Sequence, residues 1–219
     1  NASAREIWQE GLRVPPIRLY AGGELREDLM QMLTINVRHP RDFQGDPAAQ
    51  IGSVRLGERR LETLLDEFGA DVVAAAVEII LDAAEKQARD VIAAWKDGTY
   101  HGVALLDDDG RGNQDIAIRA KVTKQGNGLE VDLSGSDDEV TSFVNSSYAN
   151  MQSAVAMALA FLFDPETPKN DGSLRPVKVI AREGSIVWAK PGAPVTLSTS
   201  HCAQEIIEAI IRALAPACP

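Results

Sequence analysis

QDIAIRAKVTKQGNGLEVDLSGS, from Gln114 to Ser136, is the stretch that decides the class of fold. Its apolar residues Ile116, Ile118, Ala120 and Val122 alternate with Ala117, Arg119, Lys121 and Thr123, the two-residue period of a strand with one face in a core. Gly126-Asn127-Gly128 then reverses the chain, and Leu129, Val131 and Leu133 alternate with Glu130, Asp132 and Ser134. Upstream, residues 100–106 read as another strand, joined to this hairpin through the polar, glycine-containing turn 107–113. The three strands form an antiparallel meander.

On either side the period changes to that of a helix. Ile51, Val54, Leu61, Leu64, Leu65 and Phe68 make one apolar face that ends at Gly69, with Asp46-Pro47 read as an N-cap followed by a first-turn proline. Val72, Val73, Ala76, Ile79, Ile80, Ala83, Gln87, Val91 and Trp95 continue as a second long helix, and a shorter one is predicted within residues 24–37. The short connections predict antiparallel helical neighbours. Before them, Pro15-Pro16 and Gly22-Gly23 keep residues 5–23 extended, leaving Trp8, Leu12 and Tyr20 to pack on the helices or on a second copy.

After the meander, residues 149–163 form a helix rich in small side chains. Residues 177–181 and 186–188 are read as a hairpin across Glu183-Gly184, and Cys202, Ile206, Ile207, Ile210, Ile211 and Leu214 mark a terminal amphipathic helix. The reading is therefore α+β, an antiparallel helix bundle plus antiparallel hairpins. Residues 1–98 form an arm and helical part, and 99–219 a sheet with packed helices.

Composition narrows the function. A net charge of -10 over 219 residues argues against binding to nucleic-acid phosphates, which needs clustered Lys and Arg. No apolar run approaches the ~20 residues that cross a bilayer. Two cysteines, Cys202 and Cys218, are too few for a disulfide framework and read as free thiols of a cytoplasmic protein.

Local chemistry is sparse. His39, His101 and His201 lie far apart, without metal-ligand spacing, so no metal site is assigned to the chain. Asp107-Asp108-Asp109-Gly110 lacks the alternating oxygens of a calcium loop and reads as a solvated turn. No phosphate-cradling loop occurs. Ser134 and Ser136 have no partners assignable from sequence, and Cys202 reads as a small buried thiol, so the catalytic residues stay unassigned.

One segment carries a resemblance. Glu6-Ile7-Trp8-Gln9-Glu10-Gly11-Leu12-Arg13-Val14-Pro15-Pro16 resembles the "EGLRIPP" segment of the hydantoinase B/oxoprolinase family. Further segments follow in that family's order: Asn36-Val37-Arg38-His39-Pro40, Gly45-Asp46 with Ala49-Gln50, Asp132-Leu133-Ser134-Gly135-Ser136, Asn145, Ser153-Ala154, Asn170-Asp171-Gly172 with Arg175-Pro176, and Glu183-Gly184-Ser185.

The resemblance implies an internal piece of a subunit more than twice as long, whose upstream blocks carry the His and Asp ligands of a divalent metal, zinc or manganese. It implies ATP and magnesium for the complete enzyme. It also implies a hydantoinase A-type partner that phosphorylates a carbonyl oxygen, and a small-molecule substrate such as hydantoin, N-methylhydantoin or 5-oxoproline. A ketone carboxylase subunit and a non-catalytic assembly module are the alternatives. On this resemblance Glu10, Asn36, Arg38, Asp46, Gln50, Asn145, Asn170 and Arg175 are the polar positions expected to line the substrate cavity. A homo-oligomer is expected, and the piece by itself is expected to be catalytically silent.

Overall fold

The meander forms as its alternation requires. A computed structural model describes residues Ser3–Cys218, and in it β3 (Gly98–Asp108), β4 (Gln114–Gln125) and β5 (Gly128–Asp132) pair antiparallel, with Leu106 opposite Ile116 and Val122 opposite Val131. Ile116, Ile118, Ala120 and Val122 are buried in a core shared with two helices, α4 (Tyr148–Leu162) and α6 (Cys202–Leu214), of which α6 lies on β3 and β4 and α4 packs on α6. Met151, Val155 and Leu159 supply the core face of the first, and Ile206, Ile210 and Leu214 that of the second.

Helix α6 lies so close on β3 that a Cβ added to Gly102 would sit 2.0 Å from the carbonyl oxygen of Ala209. Only glycine lets the two backbones approach in this way.

The fourth strand departs from the expected hairpin. β6 (Val177–Ile180) pairs parallel with β5, Leu129 opposite Val177 and Val131 opposite Val179, which makes the sheet mixed. A parallel neighbour needs a crossover, supplied here by α4 and the short α5 (Asp171–Leu174). The turn at Gly184 does form, with its N–H donating to the Trp188 carbonyl at 2.8 Å. Residues 186–188 then leave the sheet, because Ile186 and Val187 are drawn into the core and the Ile186 N–H donates to the Asp137 carbonyl.

A small hairpin, β1 (Tyr20–Ala21) with β2 (Glu24–Leu25), precedes α1 (Glu27–Ile35), α2 (Pro40–Phe68) and α3 (Ala70–Ala94). The expected start of α2 at Asp46 is wrong by nearly two turns. Pro40 takes the first-turn position and Pro47 lies inside the helix, so Asp46 is a mid-helix residue and not a cap. A proline suits the first turn because its fixed φ is already helical and its missing N–H is not needed there.

The chain divides into two compact units, Asn1–Gly11 with Ile79–Pro219, and Leu12–Glu78. That division falls within α3, whereas the change from helical to strand period falls near residue 98. The first unit holds the whole buried core; no residue of the second is buried. There α1 packs on α2, but the helical face expected to be covered in a bundle leaves Val54, Leu61, Leu64 and Phe68 exposed. Among the described residues no helix is long and apolar enough to cross a membrane.

Candidate functional site

The segment entering α6 is held by side chains distant in sequence. Glu10, just after a single 3-10 turn, accepts hydrogen bonds at Oε1 from the backbone N–H groups of Val195 and Thr196, at 2.5 and 2.8 Å. The Ile7 N–H donates to the Gly192 carbonyl at 2.9 Å. From the other side the fully buried Asn145 accepts from the Val140 N–H, while its amide nitrogen donates to the carbonyls of Val140 and Ser142 and reaches that of Pro194 at 3.0 Å. Asn150, in the first turn of α4, donates to Ser146 Oγ and to the Ser198 carbonyl. An irregular segment satisfied at so many backbone groups has little freedom to move.

Beside this segment lies a cavity of about 380 Å³, lined by β3 and its turn (Leu106, Asp107, Asp108), by Phe143, and by His201 and Glu205 at the start of α6. The His201 ring stands against Phe143 with centroids 5.8 Å apart. Glu205 Oε2 is buried without a hydrogen-bond partner among the described residues, as is Thr196 Oγ1. Burial raises the Glu205 carboxyl to about 7; a hydrogen bond from its own backbone opposes this, and the charges of Glu208 and Asp107 add to it. A carboxyl poised near neutrality can give or take a proton at physiological pH.

Cys202, one turn earlier, is inert by comparison. Its thiol is buried, points at the Ile186 carbonyl, and is pushed far up by desolvation. Both cysteines are free. The aspartates of the 107–110 turn serve the turn itself, for Asp108 accepts from the Gly110 N–H, and Asp109 from the Arg111 and Asn113 N–H groups and the Asn113 amide.

Of the residues expected at a cavity, Glu10 and Asn145 meet at one segment. Asn170 and Arg175 do not reach it. Asn170 caps α5 by accepting from the Gly172 N–H, and Arg175 pairs with Asp82 and Glu85 of α3 at 2.7 and 3.3 Å. A Cβ on Gly172 would come within 2.0 Å of the Leu81 carbonyl oxygen, so these residues clamp α5 onto α3. Asn36, Arg38, Asp46 and Gln50 belong to the other unit, where Asn36 donates back to the Met32 carbonyl at the end of α1. Sequence reasoning missed Glu205 and His201. A Glu in the first turn of an amphipathic helix reads as a dipole partner, and nothing local marks it as turned inward.

The chain belongs to the hydantoinase B/oxoprolinase family, whose model it matches over residues 1–219. It is 36% identical over 220 residues to the caprolactamase subunit beta of Pseudomonas jessenii, covering 100% of this chain and 38% of that subunit. The crystal structure of the ATP-dependent caprolactamase from that organism matches it with a TM-score of 0.93 at 35% identity, over 100% of this chain and 38% of the other. The acetophenone carboxylase delta subunit of Aromatoleum aromaticum is 30% identical over 165 residues, 74% of this chain and 24% of that one. The chain thus spans under two fifths of the length of the caprolactamase subunit it matches.

Proposed function

We propose that this chain is part of the B-type subunit of an ATP-dependent amidohydrolase that opens cyclic amides. The observation that carries the reading is the match to the caprolactamase beta subunit along the entire chain. The partner is an A-type subunit that uses ATP and magnesium to phosphorylate the amide carbonyl oxygen, which makes the carbonyl carbon a better electrophile. Free thiols fit a cytoplasmic setting.

Ring opening then requires water to add at that carbon and the C–N bond to break as the departing nitrogen takes up a proton, which leaves an acyl phosphate that a second water hydrolyses to the carboxylate and inorganic phosphate. Glu205, held near neutrality beside His201, is suited to move that proton. Glu10 and Asn145 act as positioning residues by fixing the segment that leads into His201. Asn36, Arg38, Asp46, Gln50, Asn170 and Arg175 remain proposed ligand contacts of the complete subunit. Among the described residues no three His, Cys, Asp or Glu side chains come together as a metal site.

The test is to coexpress the protein that carries this chain with its A-type partner and to measure ATP hydrolysis dependent on caprolactam, hydantoin or 5-oxoproline. Lactam-dependent turnover that falls ~10²-fold or more in Glu205→Gln supports the reading. Turnover only with a ketone and bicarbonate would replace it with the carboxylase reading, which the acetophenone carboxylase relative favours. No substrate-dependent hydrolysis with any of these would leave the assembly-module reading.

A further inference from the structure

Helix α2 carries an apolar row that continues, toward its C-terminal end, the side on which Phe43, Pro47 and Ile51 are half-buried. Val54, Gly57, Leu61, Leu64 and Phe68 follow one another at spacings of three and four residues, the seam of a coiled coil. Val54 is 71% exposed, Leu61 50%, Leu64 46% and Phe68 51%, and a Cβ on Gly57 would meet nothing within 4 Å. The row is open along its whole length.

Two features of the row make it complementary to itself when reversed. In an antiparallel pair that sets Leu61 against Leu64 of the other copy, the bare Gly57 comes opposite the bulky Phe68, and small against large fills the seam. The same register brings Arg60, which flanks the seam, beside Glu67 of the other copy. Two-fold symmetry repeats each of these contacts.

We infer that the Val54–Phe68 face of α2 is a self-association surface that pairs antiparallel with a second copy of this chain. Arg60 and Glu67 set the register, and the apolar seam supplies the adhesion. A cavity beside α6 or a turn of aspartates plays no part in it.

The test is charge reversal followed by mixing. Sedimentation equilibrium of the chain across a micromolar concentration series should show a monomer–dimer equilibrium. Arg60→Glu sets a new carboxylate against Glu67, and Glu67→Arg sets a new guanidinium against Arg60, so each variant alone should dissociate roughly tenfold more readily. Mixed in equal amounts they bring opposite charges together again, and the dimer should return to near its original strength. Gly57→Leu fills the gap meant for Phe68 and should weaken the dimer while circular dichroism keeps its helical signal. Loss of that signal in any variant is checked by the same spectra, and the mixing arm then decides, since a misfolded chain cannot be rescued by a partner. A parent chain that stays monomeric overturns the inference. So does a dimer untouched by either reversal, or one that mixing fails to restore.

Discussion

The sheet unit and the α1–α2 unit have similar proportions of apolar sequence and opposite fates. In the first, Ile118, Val122, Val131, Met151, Leu159, Ile206 and Ile210 are closed into one core. In the second, no residue from Leu12 to Glu78 is buried, and Val54, Leu61, Leu64 and Phe68 stand in the open. A helical period says that an apolar face exists; it does not say what covers it. Burial is decided by tertiary partners, and here only the sheet brings them.

That contrast can be broken at its closest contact first. Gly102→Ala places a methyl 2.0 Å from the Ala209 carbonyl oxygen, a distance that forces α6 off β3. The expected loss is about 4 kcal/mol or more, at the exceptional end for one substitution. Chemical denaturation followed by tryptophan fluorescence measures it, and an unchanged midpoint would mean that α6 does not pack on β3 in solution. Next comes a matched pair of truncations. Ile210→Ala in the core should cost ~2–5 kcal/mol, whereas Leu61→Ala on α2 should stay within ~0.5 kcal/mol for dilute, monomeric protein. Equal costs would erase the difference between the units.

A polar version of the comparison sits at Asn145. Its removal leaves the Val140 N–H and the Pro194 carbonyl without their partner inside the structure, and Asn145→Ala should lose ~2–3 kcal/mol. Asn36→Ala, whose amide only reaches back one turn at an exposed helix end, should lose well under ~1 kcal/mol. Thermal unfolding of the two variants side by side distinguishes a structural clamp from a surface contact.

How much of this was legible depended on the range of the interaction. Alternation from Ile116 to Leu133 located three strands and their inward faces, because side-chain period is a local property. The parallel pairing of β6 was not legible, since the choice between a hairpin and a crossover depends on whether Ile186 is taken into the core. Asp46-Pro47 looked like a helix start, yet Pro40 takes the first-turn position seven residues before Pro47 and the helix runs on through the second proline. At the candidate site, Glu10 and Asn145 carried a family signature, but their shared target, the backbone from Pro194 to Thr196, has no sequence mark. Glu205 was hidden by the same logic, because its character comes from the cavity it lines with Asp107 and Phe143 rather than from its neighbours along the helix.

Glu205 therefore provides the finest division between the two regions, a titration that only a built cavity can produce. In the unfolded chain its carboxyl has the ordinary value of 4.5, and in the folded unit burial raises it to about 7. Between those values the folded protein keeps a proton that the unfolded chain has released. The contribution to stability is thus complete below pH 4.5 and is lost as the pH rises through 7. The full shift would correspond to about 3 kcal/mol, and solvent around this half-buried side chain reduces that to ~1–2 kcal/mol. Glu205→Gln cannot ionise, so the variant should match the parent near pH 4.5 and exceed it by that amount at pH 8. Carboxylates whose values are lowered, such as Asp97 beside Lys124, act below this window and cancel in the difference between the two proteins. Denaturant midpoints at pH 4.5, 6 and 8 make the measurement. Parallel pH profiles for parent and variant would show that Glu205 is solvated, which would remove both the cavity's acid and the chemistry proposed for it.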